Sequence, residues 1–371
     1  MVRIVTFKKR VDFPVYGLQF LLDDQLVAVG GGGANNSGTK NKMAIFSIDA
    51  KRRRLKENAA LELSEQEDCA MSVATHPQLP MIATGINSSL EEIQKGQNQQ
   101  CRLFDAHEGH IKKVKTTCTS SNKNPEEYQK ITRFSHSGKY LLTGTTDGKV
   151  SVLTVPELEV VFPPLRFQNV QDADIDITET HVAIATTKAM IILSIQDGTV
   201  VQVIDSPCLN RYTQCEYRAC RYANNKLYAI VNSNGNKGAF VCVWKINQRK
   251  PYPLRNTRTC RISRKNITSF CLSDKGDLLA YASTDLAVGL VDTSTLKPVL
   301  KVNKAHGFAI TSLTFDHAGK YLASAGADNC CHIMVIPDTL ILGPDYSTPV
   351  FIFLDMVLFA LLMHIIVQLY S

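Results

Sequence analysis

Apolar residues come in short runs that stop at Gly, Asn, Asp or Ser, and the 3.6-residue spacing of an amphipathic helix is hard to find before residue 347. One order recurs: an apolar run, a polar turn with glycine, a second run, an Asp or Asn in a tight turn, then a third run. The clearest copies are Ile131 to Val155, Ile267 to Asp292 and Ile310 to Ile336. Asp147, Asp285 and Asp328 hold the same turn in each. The first two are 138 residues apart, three units of 46, and the last two 43 apart. Two less regular copies fill the larger gap, with cores at Val182 to Ile195 and Leu227 to Ile246.

Those periods match the blades of a WD40-type propeller. Counting from the start gives seven: Val15 to Ile48, Ala70 to Phe104, Ile111 to Val155, Val160 to Ile195, Tyr217 to Ile246, Ile267 to Asp292 and Ile310 to Ile336. The last has only three evident strands, while Arg3 to Lys8 is a strand with no blade of its own. Letting it complete the last blade closes the ring and removes an open sheet edge. His306 ahead of Asp328, and Gly109-His110 ahead of Asp147, are read as structural hydrogen-bonding partners within a blade. Asn87 to Gln100 and Thr119 to Glu127 are polar inserts expected to be mobile, and Asn232 to Lys237 is expected to be a hairpin turn.

The pattern changes at the C-terminus. Val350 to Leu369 is apolar over 20 residues, enough helix to cross one hydrocarbon core. The expected organisation is an all-β, seven-bladed WD40-type β-propeller over 1–340, a linker over 341–349 and a single transmembrane helix over 350–369. Only Tyr370 and Ser371 follow the span, so nearly no luminal tail is expected and the propeller is expected on the cytoplasmic side. The N-x-S matches at Asn35 and Asn87 then carry no glycan. Asp355 inside the span is costly if central and cheaper near the membrane edge.

Composition narrows the function. The chain has 11 cysteines, an odd number, and most sit inside apolar runs without a CxxC knuckle, which fits a reducing compartment and argues against zinc. Cys242, Cys271, Cys330 and Cys331 fall where buried strand residues belong. The net charge of +7 is scattered in short runs such as Lys8 to Arg10 and Lys51 to Arg54, read as solvated strand ends rather than nucleic-acid contacts. No GxSxG elbow, HExxH or paired carboxylates at helical spacing are present, so covalent chemistry has no candidate residues.

One stretch departs from the blade pattern. Within Leu26 to Ile48 (LVAVGGGGANNSGTKNKMAIFSI) two apolar runs flank a loop of about Gly31 to Lys42, with four consecutive glycines from Gly30 to Gly33 and Asn41 to Ile48 continuing as a strand. Gly33, Gly38, Thr39 and Lys40 approach a phosphate-binding loop, but Thr and Lys are in the wrong order and a strand follows where a helix is required. A dinucleotide-binding fingerprint fails for the same reason. Two readings remain: a long solvent-facing hairpin turn, or a binding loop whose carbonyls and asparagines hold a cation or a partner protein. Its excess length over an ordinary hairpin turn favours the second.

Phe13 to Phe20 (FPVYGLQF) and Leu26 to Asn41 (LVAVGGGGANNSGTKN), followed by degenerate repeats and a terminal anchor, resemble a family of exchange factors. These are the endoplasmic-reticulum guanine nucleotide exchange factors that start COPII vesicle formation, the family of the mammalian prolactin regulatory element-binding protein. The resemblance runs end to end and is most specific at the glycine run with Gly38 and Asn41. It implies release of GDP from the small GTPase of the COPII coat, with no covalent chemistry, at the endoplasmic reticulum membrane and with no nucleic-acid partner. It also implies that the loop binds a structural potassium ion, with Gly31, Gly32, Gly33, Gly38 and Asn41 as its expected surroundings. The lack of Asp and Glu between Gly30 and Lys42 argues against calcium. Asn41 is expected to act in exchange, with Thr39 and Lys42 supporting contact or loop geometry. The alternative is a non-catalytic, membrane-anchored propeller scaffold.

Overall fold

Residues 4–337 are described by a computed structural model, apart from 35–37, 65, 108, 210–212, 236–237 and 247–251. The expected linker and the span 350–369, with Asp355, lie outside the described residues, as does Asn35. No helix among the described residues is long and apolar enough to cross a membrane. Arg3–Ile336 form one compact unit built of seven antiparallel sheets, the seven blades.

The second strand of a blade, such as Leu26–Gly30, Leu278–Ser283 or Tyr321–Gly326, is buried along its whole length because neighbouring blades cover both of its faces. That is why the sequence shows continuous apolar runs there. Outer strands such as Arg54–Glu62 are largely exposed. The first strands, Val15–Phe20, Ala70–Thr75, Gln129–Phe134, Val170–Ile175, Thr213–Ala223, Ile267–Leu272 and Ile310–Phe315, contact one another in order and back to the first, so the ring is closed. Each of these seven inner strands carries a register shift, near its start in six and in the middle of Thr213–Ala223.

Val5–Arg10 pairs antiparallel with Cys330–Val335, from Val5 opposite Val335 to Arg10 opposite Cys330, and supplies the fourth strand of blade 7. Phe7, Val11, Phe13, Phe20, Tyr321 and Ile333 share one core cluster across the seam between blades 7 and 1. His306 Nδ1 lies 3.1 Å from Asp328 Oδ1 and its Nε2 lies 2.8 Å from Ser324 Oγ, the structural pairing expected of that blade.

Two expectations about the blades are corrected. Lys112–Thr117 is the outer strand of blade 2, and Val160 and Leu165–Arg166 pair within blade 3, so blades 3 and 4 begin later, at Gln129 and Val170. An edge strand has little apolar content, so its sequence does not say to which neighbour it belongs. His110 consequently stands exposed before an outer strand, and Asp147 is held instead by Ser120 Oγ at 2.9 Å and Arg166 Nη2 at 2.7 Å. The polar inserts are also ordered. Residues 87–100 contain a five-residue helix, Leu90–Gln94, started by a capping box of Ser89 and Glu92. Asn87 Nδ2 donates to the carbonyls of Pro125 and Glu127, and Gln100 Nε2 donates to Ser120 O, so the two inserts are tied together.

None of the eleven cysteines is in a disulfide. Cys242 and Cys331 are fully buried as expected, whereas Cys271 and Cys330 are half-buried.

Candidate functional site

Strands alternate in direction within a blade, so the turn between its second and third strands shares a face of the ring with the connection into the next blade. The glycine loop of blade 1, the insert after Ile86 and the connection before Gln129 therefore occupy one face.

At its start the loop presses against backbone that leaves no room for a side chain. A Cβ on Gly30 would sit 1.9 Å from Pro14 O. Gly31 has φ +146° and a Cβ there would meet Asn41 Oδ1 at 2.3 Å, so only glycine fits. Gly33 and Gly38 also take positive φ, at +80° and +74°. At Gly30, Gly31 and Gly33 glycine is a shape requirement, not low-complexity filler.

Asn41 closes this shape from the other strand. Its Oδ1 accepts from the Gly33 N–H at 3.0 Å, while Nδ2 donates to Gly33 O at 3.2 Å and Glu67 O at 2.9 Å. The side chain is 6% exposed. Glu67 in turn pairs with the buried Arg102, whose Nε donates to Gln99 O at 3.1 Å in the blade 2 insert. The Asp68 N–H donates to Asn87 O at 3.1 Å. The loop is thus braced on blade 2, and blade 2 on blade 3, by a continuous polar network.

The remaining expected residues fall on both sides of this brace. Lys42 is 8% exposed and its ammonium pairs with Glu57 at 3.2 Å and Asp12 at 3.4 Å, lying 5.9 Å from the Phe13 ring centre. Burial works against its charge, but the two carboxylates outweigh that and hold its pKa above the ordinary lysine value. It is a structural cation of blade 1 rather than a contact group. Thr39 is half-buried, and Ala34, Gly38 and Lys40 are exposed, Lys40 pairing with Glu62 at 2.6 Å. Asn41 lies beneath these accessible positions and sets their geometry. The nearest thiol, Cys69, is pushed up to about 12 by burial and the Asp68 charge, so it stays protonated and offers no nucleophile.

Glu67, Arg102 and Gln99 were missed by sequence reasoning. Glu67 comes from the connection into blade 2, Gln99 from its insert and Arg102 from its strand Cys101–Asp105, and no local motif marks them.

For a cation the loop offers only neutral oxygens, since no Asp, Glu, His or Cys lies between Gly30 and Lys42. Among the described residues no group of three or more His, Cys, Asp or Glu gathers. Carbonyl oxygens without carboxylates are the donor chemistry of an alkali cation. The positive-φ glycines fit such a set, while Asn41 Oδ1 already accepts from Gly33 and fits as a brace of the cage.

The fold and this loop define a closed WD40-type propeller carrying a glycine-shaped loop, braced at its ends, on one face. The profile of the anaphase-promoting complex subunit 4 WD40 domain matches residues 263–342. Among curated proteins, the guanine nucleotide-exchange factor SEC12 of Candida glabrata is 24% identical, covering 88% of this chain and 72% of its own length. SEC12 of Mus musculus is also 24% identical, covering 82% of each chain. A putative guanine nucleotide-exchange factor SED4 of Candida glabrata is 23% identical over 88% of this chain, which spans about a third (32%) of that relative. The chain is similar to these Sec12 proteins over most of its length.

Proposed function

We propose that this protein is a guanine nucleotide exchange factor for the small GTPase that initiates COPII coat assembly, acting from the cytoplasmic side of the endoplasmic reticulum membrane with residues 350–369 as anchor. The observation that carries this reading is the brace of Asn41 on Gly33 and Glu67, which ties the two ends of the glycine loop together. A rigid surface that binds the nucleotide-free GTPase better than its GDP complex must, by linkage, weaken GDP binding by the same factor. A flexible loop would lose part of that difference to ordering.

In this reading Ala34, Gly38, Thr39 and Lys40 form the contact, and Asn41 and Lys42 hold it in place. A potassium ion among the carbonyls of Gly31, Gly32 and Gly38 would neutralise converging dipoles and stiffen the same excursion. Fluorescence-monitored GDP release from the COPII GTPase, with the full chain in detergent, tests the proposal. Release is expected to accelerate by at least about tenfold, equivalent to 1.4 kcal/mol of barrier, and to be faster in potassium than in sodium buffer. Unchanged release at saturating protein would leave the scaffold reading in possession of the fold.

A further inference from the structure

The seven inner-strand bulges each add one residue to a strand, and all seven added residues line a cavity of about 170 Å³ in the centre of the ring. A bulge re-aims side chains that a regular ladder would send into the blades. Five of the seven are neutral. The other two, Lys130 and Arg218, bring cations to the cavity mouth, on the face that carries the glycine loop, and Arg133 and Arg221 line the same cavity.

Asp172, Asp174 and Glu127 offset part of this positive charge, without a hydrogen bond or ion pair to Lys130, Arg133 or Arg218. Asp172 accepts from Arg221 and from the Cys220 N–H, and Asp174 accepts from the Tyr222 N–H at 2.8 Å. Burial raises both carboxyls, Asp174 to about 7. Among the described residues the side chains of Lys130, Arg133 and Arg218 form no hydrogen bond or ion pair, and Arg133 Nε is buried without a partner. Lys130 titrates below the ordinary lysine value because burial and then Arg218 disfavour its charge. Three cations that repel one another in a confined, half-desolvated space are a cost to the fold unless a counter-ion joins them.

We propose that the central cavity is a binding site for a small free anion carrying phosphate groups, held by Lys130, Arg133 and Arg218. Multiple negative charge on one compact group can satisfy several cations at once, and guanidinium forks match phosphate oxygens two at a time. The volume is below that of drug-sized ligand pockets and suits a small anion.

The test is the thermal unfolding of the full chain titrated with inorganic pyrophosphate at constant ionic strength, with sodium acetate as the monovalent control. Millimolar pyrophosphate is expected to raise Tm by roughly 2–5 °C, and acetate to leave it unchanged. The double variant Lys130→Gln/Arg218→Gln is expected to start from an equal or higher Tm, having lost the repulsion, and to show no further rise. Lys113→Gln, on the exposed outer strand of blade 2, should respond as the unmodified protein does. No rise in the unmodified protein, an equal rise in the double variant, or an equal response to acetate would each overturn the proposal. None of these readouts involves a GTPase, so they stand or fall separately from the exchange reading.

Discussion

A buried carboxamide that donates twice and accepts once is a hub, and alanine in its place would strand the Gly33 N–H and two carbonyls. At about 1 kcal/mol or more for each unmet group in a partly buried setting, Asn41→Ala is expected to lose roughly 2 kcal/mol of stability. The same substitution should abolish most accelerated GDP release. Both losses belong together here, because the side chain contributes to exchange through loop shape. Gly31→Ala reaches that shape from the opposite side: its Cβ would collide with Asn41, so it should depress exchange to a similar degree. Calorimetry beside the release assay separates a shape role from a contact role. A full loss of exchange with unaltered unfolding would return Asn41 to direct contact.

Within an element, burial decides protonation. His332 on the third strand of blade 7 stacks edge-on against His306, with ring centres 6.0 Å apart, and lies opposite Lys8 of the closing strand. Burial first, then the positive charges nearby, push its pKa down to about 4. Because the unfolded histidine titrates near 6.5, the unfolded chain binds the proton more readily, and stability is lost as pH falls from that value towards 4. The difference amounts to about 3 kcal/mol. Tm measured against pH should therefore fall through this window, and His332→Gln should flatten that fall. An unchanged slope in the variant would place the acid sensitivity elsewhere, for instance at His306, which burial also lowers. Asp328 contributes separately: burial raises its carboxyl, but bonds from Gly307 and His306 outweigh that, so its contribution disappears only below the ordinary carboxylate range.

Ring closure is a property of the whole molecule, and one seam joins the two ends of the propeller. Phe7 is 8% exposed in the core shared by blades 7 and 1. Phe7→Ala should cost about 3 kcal/mol or more and, by loosening the fourth strand, expose the edge of Cys330–Val335 to proteolysis. Denaturant unfolding and limited digestion read the two effects. Protection equal to that of the unmodified protein would mean that the first ten residues do not close the ring.

How much of this was legible in the chain differs by kind of contact. Strand repetition fixes a period, the period fixes a blade count, and a surplus strand at one end with a deficit at the other fixes the closure; these follow from local apolar pattern and needed no coordinates. The strangeness of Gly30 to Asn41 was equally visible, since four glycines before a strand have few structural uses. Ser89-x-x-Glu92 was legible too as a helix start, but was read over. The brace through Glu67, Arg102 and Gln99 could not be read, nor could the meeting of Lys130, Arg133 and Arg218. Those groups are dispersed along the chain, and hydrogen bonds and charge repulsion act through space. Sequence alone determined which segments become strands and how many blades they make, because backbone and burial preferences are local. Only the closed ring decided that Asn41 faces inward and that three cations share one cavity, because side-chain environment is set by neighbours the chain order does not name.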